Sequence, residues 1–132
     1  MPEILVIDDE PDMLALLRRI ISEKTEYEVD LVQDPLKVTE FLTRKNYDVV
    51  LTDLKMPGKN GIEILREVKA KSSETAVIIM TAYGTIDSAI EATKKGAFDY
   101  ITKPFRKERI LHIIEQALGW RQLQNENTFL RR

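Results

Sequence analysis

The chain of 132 residues contains no cysteine, which removes disulfides, thiolate metal sites and thiol catalysis together. Its only histidine, His112, stands mid-helix and far along the chain from any acid cluster, so it reads as a structural or surface residue. No apolar run approaches the roughly 20 residues of a membrane helix, and the first residues show no signal-peptide pattern. A cytoplasmic protein without membrane contact is therefore expected. The formal net charge of −2 supplies no field toward nucleic acid or anionic lipid, so direct nucleic-acid binding is not expected either. A glycine-rich phosphate loop, a helix-turn-helix, internal repeats and low-complexity segments are all missing.

What is present fits one folded domain: 43% of residues are hydrophobic and 32% charged, in a length that can bury a real core. Four short Val/Ile-rich runs each end in a chemically active residue. Ile4-Leu5-Val6-Ile7 leads to Asp8-Asp9, Val49-Val50-Leu51-Thr52 to Asp53, Ala76-Val77-Ile78-Ile79-Met80 to Thr81, and Phe98-Asp99-Tyr100-Ile101-Thr102 to Lys103-Pro104. Such runs are the signature of strands buried on both faces. A fifth, from Tyr27 to Val32, alternates apolar and acidic residues and suits a sheet edge.

Amphipathic stretches lie between the runs. Leu14, Leu17 and Ile21 follow Glu10-Pro11; Val38, Phe41 and Leu42 follow the cap-plus-proline start Asp34-Pro35; Ile62, Leu65 and Val68 lie between Gly61 and Lys71. Thr85 to Lys95 presents Ile86, Ala89 and Ile90, then stops at Gly96. Five strands and five helices in strict alternation imply a doubly wound α/β fold with right-handed crossovers.

The last helix begins near Arg106 and would run about 40 Å if helical to the end, about twice what a small sheet needs. The expected division is a domain over residues 1–118 and a helical linker over 119–132, the chain stopping mid-helix as a fragment of something longer would. Ile113, Gln116, Trp120, Leu123, Asn127 and Leu130 fall at alternating three- and four-residue steps. That is a short heptad seam with Asn127 as its register-fixing polar member, or else a plain amphipathic tail.

In a parallel sheet, ligands bind at the carboxyl ends of the strands. Asp8, Asp9 and Asp53 would meet there, repel one another and raise at least one pKa, a strain that a hard divalent cation such as Mg²⁺ relieves. Asp53 could then attack phosphorus, with Lys103 and the Thr81 hydroxyl meeting the transferred oxygens. Taken singly, Asp8 or Asp9 would be a helix cap, Asp53 a turn acid, Thr81 a cap and Lys103 a solvated surface lysine. Their order at four consecutive strand ends makes the joint reading the stronger one.

The acid pair Asp8-Asp9, the segment Leu51-Thr52-Asp53-Leu54-Lys55-Met56-Pro57-Gly58 with Gly61, Thr81-Ala82 and Lys103-Pro104 together resemble the receiver domain of two-component response regulators, from about Glu3 to Leu118. The resemblance implies a flavodoxin-like five-stranded sheet of order 2-1-3-4-5. It implies phosphorylation on Asp53 by a sensor histidine kinase or a small phosphodonor. Mg²⁺ would be held by Asp9, Asp53 and the Lys55 backbone carbonyl, with Asp8 acting through water. Thr81, Ala82 and Lys103 would contact the phosphoryl group, and Pro104 would follow a cis peptide. Lys55 and Tyr83 would tune the acyl-phosphate lifetime. Thr81 and Tyr100 would form the switch, Tyr100 being otherwise a core residue. The output face would comprise the helix at Thr85–Lys95, the strand of Tyr100 and the last helix.

Thr81-Ala82-Tyr83-Gly84-Thr85 and Gly96 to Phe105 are most similar to the nitrogen-regulation activators, in which a receiver precedes an ATPase and a DNA-binding domain. That likeness implies a homodimer through Trp120, Leu123, Asn127 and Leu130, with output domains in sequence not present here. Two other functions stay in competition: a phosphorylation-independent dimerisation module, and an aspartate-nucleophile phosphatase. The phosphatases of that kind usually carry a second acid two residues after the nucleophile, where this chain has Lys55. No enzyme is expected beyond the chain's part in its own phosphorylation and dephosphorylation.

Overall fold

Alternation along the first strand builds two cores at once. In the computed structural model, which describes residues 1–82 and 86–130 (backbone alone at 86, 88, 89 and 127–130), β1 spans Glu3–Ile7. Successive side chains of a strand point to opposite faces, so Ile4 and Val6 enter one apolar cluster while Leu5 and Ile7 enter the other. β3 (Val49–Asp53) and β4 (Ala76–Thr81) divide their residues the same way and are buried throughout. Unbroken Val/Ile/Leu runs are what two-sided burial requires.

Helices close both faces. α1 (Pro11–Lys24) brings Leu14, Leu17 and Ile21 to the first cluster, and α5 (Lys107–Leu130) brings Ile110, Ile113, Ile114 and Ala117. α2 (Val38–Arg44), α3 (Gly61–Lys71) and α4 (Ile86–Lys94) cover the second cluster through Val38, Leu42, Ile64, Leu65, Val68 and Ala92. Each of the larger aliphatic side chains contributes about 1.5–3 kcal/mol by leaving water, which is what holds the layers together.

The five strands are parallel and lie in the order β2-β1-β3-β4-β5, with β2 (Glu28–Val32) and β5 (Asp99–Thr102) at the edges. This is the flavodoxin-like, doubly wound arrangement, whose strand order reverses between β1 and β3. Register aligns Ile7 with Thr52, Asp53 with Met80 and Thr81 with Thr102, so every residue following a strand end emerges along one edge.

Local signals start the helices. Asp34 accepts a hydrogen bond from the Leu36 amide at 3.0 Å and opens a single 3-10 turn, Pro35–Lys37. At α3, Asn60 Oδ1 accepts from the Glu63 amide at 2.9 Å while Glu63 Oε1 accepts from the Asn60 amide at 3.1 Å, a reciprocal capping box.

Two expectations about packing need correction. Ile90, expected on the inner face of α4, is 47% exposed; among the described side chains of that helix the buried one is Ala92, in the same cluster as Ala97. Both residues lie on apolar stripes of the same short helix, and spacing alone does not say which stripe faces inward. Contacts between α5 and the domain also continue past Leu118, through Trp120 and Arg121, in one unbroken helix.

Candidate functional site

The β1–α1 connection delivers two carboxylates with different surroundings. Asp8 has 0% exposure, and both of its oxygens are engaged: Oδ1 accepts from the Glu10 amide at 2.9 Å, and Oδ2 from Lys103 Nζ at 2.9 Å. Asp9 is half-buried beside it, its backbone carbonyl accepting from Gln33 Nε2 at 3.4 Å.

Asp53 closes β3 at 8% exposure. Its Oδ1 accepts from the Leu54 amide at 3.0 Å and faces Lys103 Nζ at 3.5 Å. The strand end is fixed from behind: the Leu54 amide also donates to the Met80 carbonyl, and the Gly61 amide to the Leu54 carbonyl, both at 2.8 Å. Gly61 is required here by close approach. A Cβ at this position would stand 2.6 Å from the Asp53 carbonyl oxygen and 3.0 Å from Leu54 Cα.

Lys103 reaches the acids because β5 runs parallel to β4 and its amide donates to the Thr81 carbonyl at 2.8 Å. The Lys103–Pro104 peptide is cis. Thr81 is buried at the end of β4, and Ala82 follows it, exposed. Lys55 is exposed on the loop after Asp53, and Tyr100 on β5 is 37% exposed. Tyr83 lies outside the described residues, as do the side chains of Asn127 and Leu130. Of the remaining linker residues, Leu123 is 59% exposed, whereas Trp120 turns inward onto Phe98 at 6.0 Å between ring centroids.

The electrostatics follow from burial and crowding. Burial pushes the Asp53 carboxyl upward, the Lys103 ammonium pulls it down and the Asp8 charge pushes it up again; the net direction is above the ordinary carboxylate value. Burial alone would lower Lys103, but its hydrogen bond to Asp8 and the charges of Asp8 and Asp53 outweigh this and hold it above the usual lysine value. One ammonium thus faces two carboxylates, with a third close by. Asp8, Asp9 and Asp53 each offer an oxygen within 4.8 Å of the others. Hard oxygen donors at that spacing, with one proton affinity already raised, fit a small divalent cation such as Mg²⁺.

Three features of the site escaped the sequence reading. Asp8 and Lys103 pair directly, Gly61 serves as the backstop of Asp53, and Asn60 and Glu63 form the cap that anchors the loop between them. Only the last had a local signal, the Asn-x-x-Glu spacing.

Comparison with known proteins places these features in a family. The family model described as "Response regulator receiver domain" matches residues 4–115. The response regulator protein PilR of Pseudomonas aeruginosa is 34% identical over 122 residues, which make up 92% of this chain and 27% of PilR. The crystal structure of NtrX from Brucella abortus in complex with ADP superposes with a TM-score of 0.91 at 30% identity, covering 100% of this chain and 30% of that one. The solution structure of the beryllofluoride-activated NtrC4 receiver domain dimer gives a TM-score of 0.86 at 30% identity, covering 92% and 99%. The chain therefore spans about a quarter of the length of the first curated relative it matches.

Proposed function

The chain belongs to the response regulator receiver domain family, and from that premise we propose that it is a phosphorylation-controlled switch whose acceptor is Asp53. The observation that carries this reading is the Lys103 ammonium, held between Asp8 and Asp53 at the edge where three carboxylates converge. A half-buried lysine in that position is a ready partner for phosphoryl oxygens arriving at Asp53.

An Asp53 carboxylate oxygen attacks the phosphorus of a phosphohistidine on a sensor kinase, or of a small acyl-phosphate donor. The P–O bond to Asp53 forms as the donor's P–N or P–O bond breaks, and the leaving group takes the electron pair and then a proton. Asp8, Asp9 and Asp53, with the Lys55 backbone carbonyl, would hold Mg²⁺, which when bound supplies positive charge to the carboxylates and the phosphoryl oxygens. Lys103 exchanges its contact with Asp53 for one with a phosphoryl oxygen, and the Thr81 hydroxyl donates to another. Ala82 is small enough to leave the approach open, and Lys55 and Tyr83 border it.

A phosphoryl group adds about −1.5 to −2 charge and three acceptor oxygens, enough to bias a two-state surface. Thr81 follows the phosphoryl group, Tyr100 moves inward from its exposed position, and the α4–β5–α5 face changes its partner preference. The outcome is control of homodimerisation, with the α5 extension from Leu123 onward as the pairing segment. In a longer protein of the NtrC kind, that change would control ATPase and DNA-binding domains and hence transcription. The resemblance to the nitrogen-regulation activators supports this output.

Intact mass and sedimentation, with Mg²⁺ and a small phosphodonor, test the reading. One phosphoryl mass gain, absent in Asp53→Asn, together with a change in association state, is expected. No gain in the folded parent chain, or a gain that persists in Asp53→Asn, would sink it.

A further inference from the structure

Opposite the carboxylates, at the amino-terminal edge of the sheet, α5 is fastened to the domain by a second cluster. The Trp120 ring lies against Phe98, with the planes tilted by 54°, and Lys69 Nζ stands 4.8 Å from its centroid. Among the described residues no carboxylate pairs with Lys69: Nζ donates to the Ser73 carbonyl at 3.2 Å and the Thr75 carbonyl at 2.6 Å, so the indole face serves as its further partner. The next residue, Arg121, sets Nε 3.1 Å from Asp48 Oδ1 and Nη1 3.9 Å from Glu74 Oε2. Both nitrogens are buried without a hydrogen-bond partner, Nε being out of line and Nη1 too far, so this contact works through charge. Asp48 in turn accepts from the Glu3 amide at 2.8 Å, which ties the cluster to the start of β1.

Directly before these two residues stands Gly119. Its backbone is not in the left-handed region, and a Cβ built there meets nothing within 4 Å. Neither conformation nor close packing calls for glycine, and a glycine inside a helix weakens it relative to alanine. Its one physical consequence is a soft point, placed between the part of α5 that covers the sheet, ending at Ala117 and Leu118, and the residues that grip the sheet's base.

We propose that Gly119 is a hinge, and that Trp120, Lys69 and Arg121 form a clasp across it which sets the direction in which α5 leaves the domain. Closed, the clasp makes the helix beyond Arg121 a rigid extension of the sheet. Open, the helix bends at Gly119 and its direction is lost. β5 is preceded by Phe98 at the clasp and followed by Lys103 at the carboxylates, so one strand borders both ends of the device. The proposal does not depend on Asp53 being the phosphoryl acceptor.

Nitroxide labels on Glu40→Cys in α2 and Asn125→Cys in α5, in the full chain with no native cysteine, report the direction by pulsed electron resonance. The parent should give one narrow distance distribution, and Trp120→Ala with Arg121→Ala a broad one. Adding Gly119→Ala to that pair should narrow it again. Should the pair not fold, as judged by circular dichroism, Lys69→Met keeps an apolar stem beneath the indole and should broaden the distribution likewise. Equal widths in the parent and the open-clasp variant, or an open-clasp variant that stays broad with Gly119→Ala present, overturn the proposal.

Discussion

Lys103 Nζ lies 2.9 Å from Asp8 Oδ2, a contact between residues 95 positions apart in which the acid has no exposure to solvent. Removing one partner of a buried pair strands the other charge in a poor solvent, and Asp8 would be left between Asp9 and Asp53. Lys103→Met should therefore cost about 3 kcal/mol of stability. Lys103→Met combined with Asp8→Asn should cost less than Lys103→Met alone, because the fully buried Asp8 charge is then gone and only Asp53, which Lys103 also faced, is left unpaired. Urea unfolding of the parent, both single variants and the double variant in Mg²⁺-free buffer measures the coupling. Strict additivity would mean that the pair has no energetic reality.

Asp53 sits above its ordinary pKa, chiefly through burial, so the sign of its stability contribution is opposite to that of a paired acid. The folded state favours the protonated form. The contribution is full below the unfolded value of 3.8 and disappears as pH rises through the folded value. At neutral pH the ionised carboxylate is a burden, and Asp53→Asn should melt higher than the parent in metal-free buffer, the gap closing toward about pH 4. Mg²⁺ at about 100 times its Kd should return about 2.7 kcal/mol to the parent and much less to Asp53→Asn. A parent that melts above Asp53→Asn without metal contradicts the account.

Strand runs were readable because two-sided burial leaves no freedom for polar residues, and the acids at Asp8, Asp9 and Asp53 stood out because each closes such a run. The edge position of β2 was readable from its acidic alternation. Long-range pairings were not. Trp120 fits a heptad seam by spacing, yet Phe98 and Lys69 meet it from two other segments, and nothing in the local sequence of α5 announces them. Ile90 shows the same limit: a nine-residue helix carries apolar residues on more than one side, and only the docked geometry turns Ile90 out while Ala92 is buried.

Gly61 opens α3 at a point where a Cβ would stand 2.6 Å from the Asp53 carbonyl oxygen. Backbone cannot rotate aside as a side chain can, so Gly61→Ala must push the β3 end or the α3 start, at about 2 kcal/mol. Because Asp53 is the residue displaced, phosphodonor-driven mass gain should slow by more than the lost stability explains. Gly119→Ala is the control, since a methyl group there meets nothing. Similar labelling rates in Gly61→Ala and the parent, both fully folded, would show that the contact does not position Asp53.

Glu67 shows the opposite pH behaviour from Asp53, at a place remote from the carboxylate cluster. Burial would raise it, but hydrogen bonds from Lys59 and Thr39 and the charges of Lys59 and Lys71 outweigh that, and its pKa falls below the ordinary 4.5. A depressed acid adds stability that is present above its unfolded value and lost as pH falls through the folded one. Thr39 lies on α2 and Glu67 on α3, so the contribution is the fastening of these two helices. Glu67→Gln should cost about 1–2 kcal/mol at neutral pH, where the charge-assisted bonds are intact. As pH falls from above the unfolded value of 4.5 through the lower folded one, the parent should lose that advantage, and the two melting curves should converge. Melting temperatures that stay parallel through this window would assign the acid sensitivity to other carboxylates and leave the α2–α3 contact to packing alone.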